Sequence, residues 1–164
     1  LTVKKFWTTI NNTVAGLFHV FNVLANKDSE YTTFDATDYD SIMRQPGCMI
    51  MGVTSVKDVE NETAISNALK KNLEKTLLAE GFDLTTATGA ACIVVGSEEI
   101  FEETVGLMDS IEFGFDTLAT LTGGAMVHRG IYEDSNKDKL VTYTLISGLN
   151  RPSKRIEGLK KFLK

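Results

Sequence analysis

The sequence predicts an α/β fold, a mixed four-stranded sheet with packed helices, preceded by a long core helix. Three observations predict it. Residues 3–25 keep a helical hydrophobic period without a proline. Two short apolar runs, 48–54 and 90–95, alternate with helical segments, as in a sheet covered by helices. Two further strand-like stretches close the chain on either side of a polar hexapeptide. The chain has 164 residues, 43% of them hydrophobic, which suits one domain with a real core.

In the first run Trp7, Val14, Phe18, Phe21 and Leu24 recur at spacings of three, four and seven, and Gly16 is the only weak spot. A polar, acidic stretch follows, with Asp28, Glu30, Asp35, Asp38 and Asp40 against Lys27 alone. It leads into a short helix around Ser41, Ile42 and Met43, which Pro46-Gly47 must end. Cys48 opens the first buried strand. Residues 62–78 read as a helix with Ile65, Leu69, Leu73, Leu77 and Leu78 on one face and Gly81 as its closing residue.

Residues 90–95 form the second buried strand, stopped at Gly96. Ser97-Glu98-Glu99 opens another helix, with acidic residues where the helix dipole favours them and Ile100, Val105, Met108 and Ile111 as its apolar side. Strands are expected over 120–132 and 140–147, with 133–138 as a hairpin turn between them. Residues 151–164 read as a basic amphipathic helix, with Ile156, Leu159, Phe162 and Leu163 apolar and Arg151, Lys154, Arg155, Lys160, Lys161 and Lys164 around them. A packed or solvated terminal helix accounts for that pattern. An acidic surface or anionic membrane is the sharper alternative.

The net charge of −5 argues against a nucleic-acid footprint, so no nucleic-acid partner is expected. No apolar run is long enough to span a bilayer, and no signal peptide is visible, so a cytoplasmic protein is expected. Because the chain begins at Leu1, close to a helix, it is expected to be part of something longer. Cys48 and Cys92 sit in apolar runs and read as reduced core thiols, with no zinc or CxxC spacing. His19 and His128 have no clustered ligands and read as ordinary packing or surface residues.

GxSxG, HExxH, Walker A and GxGxxG patterns are absent, and Gly123-Gly124 falls where a strand is expected, as a bulge or close backbone approach. The acidic stretch is the unusual feature. In Thr33-Phe34-Asp35-Ala36-Thr37-Asp38 the carboxylates are three residues apart, one face of a helix start. They suit a cap, with Thr33 or Asp35 as N-cap residue. The functional alternative to that cap is a pair of exposed carboxylates that orients and polarises a water. A calcium loop fits less well, because its spacing and late glutamate are missing.

The order of elements and several local strings resemble the C-terminal half of FtsZ, the prokaryotic relative of tubulin. In that family a long helix leads into an N-x-D-x-x-D loop and a short helix ending in a T-I-M-like string. The matching stretch here is Thr33 to Asp38, then Tyr39-Asp40-Ser41-Ile42-Met43. Gly47-Cys48-Met49-Ile50-Met51-Gly52 resembles the family's G-x-A-M-x-G strand. Gly89-Ala90-Ala91-Cys92, Gly124-Ala125-Met126-Val127 and Tyr143-Thr144-Leu145-Ile146-Ser147-Gly148 resemble later strings in the same order. The resemblance covers residues 1 to about 150. Thr33 replaces the family's asparagine, and the preceding loop is about two residues longer, features of a divergent branch.

The resemblance implies a division of the chain. Residues 1–26 would be a core helix leading from a GTP-binding domain outside this sequence, 27–150 an activation domain, and 151–164 a basic terminal helix. It implies a filament-forming GTPase of cell division or cell shape, self-associating into protofilaments, with division or membrane-associated partners. GTP, with magnesium, would bind between subunits, so this chain alone would be inactive. Asp35 and Asp38, with Thr33 beside them, would be the catalytic residues acting on a neighbour's GTP. Trp7 and Asn11 match an aromatic and an amide that stack on and read the guanine. A different reading of the same residues is a non-catalytic α/β module that binds a ligand or partner, its Asp pair only a cap.

Overall fold

The computed structural model describes residues 3–76 and 79–161. Helix α1 (Val3–Leu24) leads to α2 (Ala36–Met43) and strand β1 (Cys48–Val56). Helix α3 (Ala64–Lys75), β2 (Gly89–Gly96), α4 (Glu98–Glu103) and α5 (Leu107–Leu121) follow. Strands β3 (Val127–Glu133) and β4 (Leu140–Leu149) complete the sheet, and α6 (Ser153–Lys160) ends the described chain. No helix among the described residues is long and apolar enough to cross a membrane.

The four strands lie in the order β1-β4-β2-β3. β4 runs antiparallel to both of its neighbours, and β2 and β3 are parallel. The sheet is therefore mixed, as expected. The expected hairpin is not formed, because β2 lies between β3 and β4. The reason is central burial: β2 is buried along its whole length and takes a place with partners on both sides. Crossing one strand takes about 10 Å, well within reach of the six residues 134–139. The loop starts its crossing at once, with the Asp134 N–H donating to the Gly96 carbonyl at the end of β2 (2.9 Å). Asp134 then accepts from the Asn136 N–H at 3.0 Å, a bond that holds its carboxyl below the usual range.

Helices cover both faces of the sheet. On one side Ile65, Leu69, Leu73, Ile111, Phe115 and Leu118 of α3 and α5 pack on Ile50, Cys92, Val94 and Ile146. On the other, Leu17, Phe21, Leu24 and Ile42 of α1 and α2, with Phe34 between them, pack on Met51, Ile93, Tyr132 and Leu145. Burial pushes the Cys92 thiol up to about 12, so it behaves as a small apolar side chain. Cys48 is only half-buried, and both thiols are free.

Several boundaries differ from the sequence pattern. The helix expected from Ser97 is two, interrupted before Leu107. Val105 is 97% exposed and Met108 39%, so neither joins the apolar side, which Ile111 does. Residues 120 and 121 belong to α5, because Thr122 Oγ1 donates back to the Leu118 carbonyl at 2.8 Å and the Gly124 N–H to the Ala119 carbonyl at 2.8 Å. Gly123-Gly124 is thus a helix stop. Gly123 has φ +67°, and a Cβ there would lie 2.8 Å from the Thr85 carbonyl oxygen, the close approach its sequence suggested. Helix α3 ends at Lys75 with Thr76 extended, so Gly81 does not close it. Leu77, Leu78, Phe162, Leu163 and Lys164 lie outside the described residues. In α6, Ile156 and Leu159 are exposed, and Arg155 Nη1 links the helix to the body by donating to the Glu80 carbonyl at 2.6 Å.

Candidate functional site

The acidic stretch between α1 and α2 is clipped to the outer edge of β3. The Ile131 N–H donates to the Thr32 carbonyl (2.9 Å), a one-rung antiparallel bridge. Ser29 Oγ donates to the Ile131 carbonyl, and Lys27 Nζ to the Glu133 carbonyl at 2.9 Å. The Tyr31 hydroxyl donates to Glu133 Oε1 at 2.8 Å, and this bond, more than burial, pushes its pKa up to about 12. The segment thereby covers a sheet edge that would otherwise be open to pairing.

The inner face of β3 holds the end of the stretch. Tyr132 is fully buried, and its hydroxyl accepts from the Phe34 N–H at 2.8 Å while facing the Leu24 and Phe34 carbonyls, each at 3.0 Å. Burial raises the Tyr132 pKa, and the charges of Asp38, Asp28 and Asp35 add to it. Gly130, two residues earlier, makes room: a Cβ there would meet Phe34 Cβ at 2.9 Å and the Tyr132 ring at 2.8 Å. Phe34 then packs edge-on to Phe21 of α1, with centroids 6.0 Å apart.

Asp35 follows immediately as the N-cap of α2. Its Oδ1 accepts from the Asp38 N–H at 2.9 Å, and Asp38 Oδ2 accepts from the Asp35 N–H at 3.1 Å. This is a reciprocal capping box. Asp38 Oδ1 takes a third bond, from His128 Nδ1 of β3 at 2.7 Å. The side chains of His128 and Asp38 are 15% and 30% exposed, and Asp35 is exposed. A carboxylate offers about four lone-pair sites, so both keep capacity to accept from water. Thr33 is exposed, and its Oγ1 accepts from the Ser29 N–H at 3.2 Å.

Trp7 and Asn11 lie elsewhere. Both are exposed on the first half of α1, Trp7 at 61%, with Phe6 packed edge-on to it at 5.8 Å. Among the α1 residues whose burial is described, only Leu17, Phe21 and Leu24 are buried apolar residues, so Trp7 is not part of the apolar face its spacing suggested, and Val14 and Phe18 are only half-buried. Asn11 stands about 20 Å along the helix axis from Leu24, where the Asp35 end of the stretch is tied. The structure brings Asp35, Asp38 and Thr33 together and leaves Trp7 and Asn11 apart from them.

His128 corrects the sequence reading, which gave it no specific role. Its signal was the period-two set His128, Gly130 and Tyr132 on one strand face. Among the described residues no group of three or more His, Cys, Asp or Glu side chains is arranged to hold a metal ion.

Residues 32–153 match the family model of the tubulin-like protein TubZ, C-terminal domain. The chain belongs to that family. No curated protein sequence matches it. Among solved structures it is similar to the type III plasmid segregation protein TubZ, with a TM-score of 0.72 and 21% identity over 90% of this chain and 37% of that one. It is similar to FtsZ of M. jannaschii, solved as an empty dimer, with a TM-score of 0.67 and 18% identity over 93% of this chain and 45% of that one. It is also similar to CetZ2 of Haloferax volcanii, solved as a GTPγS-bound protofilament, with a TM-score of 0.69 and 15% identity over 100% of this chain and 48% of that one. The TubZ-type domain thus has the fold expected from its sequence, and it spans less than half the length of these proteins.

Proposed function

We propose that this TubZ-type domain is the activating half of a filament-forming GTPase, and that its acidic stretch completes the GTP site of the next subunit in a protofilament. One observation carries the reading: the Asp35–Asp38 pair is fixed by its capping box, and the loop that carries it is tied to the Leu24 end of α1, about 20 Å along the helix from Asn11. One chain therefore has two separate places for nucleotide chemistry, one for its own GTP and one for a neighbour's. Trp7 offers a ring face to a purine, and Asn11 an amide for its polar edge.

GTP supplies the transferable phosphoryl group, whose departure needs positioning and charge stabilisation more than covalent help. The free oxygen of Asp35 and the remaining lone pairs of Asp38 accept hydrogen bonds from a water and aim its lone pair at the phosphorus. Carboxylates beside a triphosphate repel it, so their delivery by a second subunit ties hydrolysis to assembly. Thr33, whose hydroxyl accepts from the Ser29 N–H, keeps its own O–H to donate and stands beside the pair. A magnesium ion accompanying the nucleotide would take one or two carboxylates and complete its shell with phosphate oxygens and water.

The parent protein is then a cytoplasmic GTPase, with residues 1–26 joining its nucleotide-binding domain to this one, and the isolated chain is inactive. Its partners are copies of itself. The similar solved TubZ is a type III plasmid segregation protein, and plasmid segregation is the process proposed here, with division or cell shape as the alternatives.

The capping box favours a second reading, in which the Asp pair only starts α2 and the domain binds a ligand or partner. Asp38→Ala in the full-length protein separates the two. We expect GTP binding and assembly to persist while turnover falls at least a hundredfold, within the range for losing a positioning group. Turnover equal to the parent would leave only the cap.

A further inference from the structure

We propose that His128 is a positioning residue for hydrolysis, acting through Asp38, an inference that rests on the hydrolytic reading of the acidic loop. An ionised carboxylate only accepts, so His128 Nδ1 carries the proton and donates it to Asp38 Oδ1 across 2.7 Å. The other oxygen, Oδ2, is held by the Asp35 N–H at 3.1 Å. The cap needs only Oδ2. Without His128, α2 keeps its start, but the carboxylate is free to turn about its terminal torsion, and Oδ1 loses its fixed direction.

The placement of His128 is not incidental. It lies on the same strand face as Gly130 and Tyr132, which lock Phe34 against β3. The loop and the strand are therefore in fixed register only a few residues from the His128–Asp38 contact. The imidazole is mostly shielded, at 15% exposure, and the carboxylate is twice as open, at 30%. This is the arrangement expected of a half-buried orienting group behind a working one.

The test uses the full-length protein carrying His128→Ala, His128→Asn, Asp38→Ala and the double variant His128→Ala/Asp38→Ala. Readouts are GTP turnover, KM, the critical concentration for assembly and thermal melting. We expect His128→Ala to lower kcat about 10- to 100-fold, the scale of a misplaced group, with KM, assembly and melting unchanged. His128→Asn, whose amide N–H falls near the position of Nδ1, should recover most of the kcat. The double variant should be no slower than Asp38→Ala, because one residue acts through the other.

Wild-type turnover in His128→Ala, with Asp38→Ala inactive, would overturn the proposal and leave the hydrolytic reading intact. A loss of kcat matched by losses in assembly and melting, and not recovered by asparagine, would overturn it in favour of a structural role. An active Asp38→Ala would remove the hydrolytic reading and this proposal with it.

Discussion

The acidic loop and the first half of α1 carry the two sets of residues to which the family resemblance assigns nucleotide chemistry, yet they are built in opposite ways. The loop is held at every one or two residues, by Lys27, Ser29, Tyr31, Thr32 and Phe34, to one strand. The first half of α1 presents Phe6, Trp7 and Asn11 to solvent. The difference teaches that a polar loop can be the more rigid element when a strand edge takes up its backbone groups. A regular helix can be the less committed one when its apolar residues have nothing to cover. In the present reading the loop is prepared to act on a partner, and the helix waits for the rest of its own chain.

Four substitutions sharpen this contrast. Tyr132→Ala should have the largest effect, because it removes a fully buried aromatic and the anchor shared by Leu24 and Phe34. We expect a loss of about 3–5 kcal/mol in denaturant unfolding, with faster amide exchange in the loop before the sheet. Tyr132→Phe, which strands the buried Phe34 N–H, should cost about 1–3 kcal/mol. A smaller loss, about 0.5–2 kcal/mol, is expected from Asp35→Ala, which removes one half of the capping box. Trp7→Ala should change stability by no more than about 0.5 kcal/mol, while weakening GTP binding in the full-length protein. If Trp7→Ala destabilised the isolated domain more than Asp35→Ala, the contrast between the two regions would be wrong.

The parts of the fold legible in the sequence were those fixed locally. Apolar runs such as 90–95 are strands because nothing else buries so short a stretch on both faces. The Asp35-x-x-Asp38 spacing announced the cap, and Ser97 the start of α4, because both act within one turn. Strand order was hidden, since six polar residues suit a hairpin and a step across β2 equally well. The end of α5 was misread because Thr120 and Leu121 have strand-like side chains, and the deciding contacts come from Thr122 and Gly124. His128 was missed for the same reason. Its partner is 90 residues away in sequence, brought within reach only by the register of β3 against the loop.

The account turns on whether the acidic loop serves a neighbour's nucleotide. The direct measurement mixes two inactive full-length proteins, one carrying Asp38→Ala and the other an inactivated nucleotide-binding domain with this domain intact. Where they co-assemble, an intact loop from one faces an intact GTP site on the other, so the mixture should hydrolyse GTP well above either protein alone. Co-assembled filaments with no more turnover than their inactive parents would contradict the account.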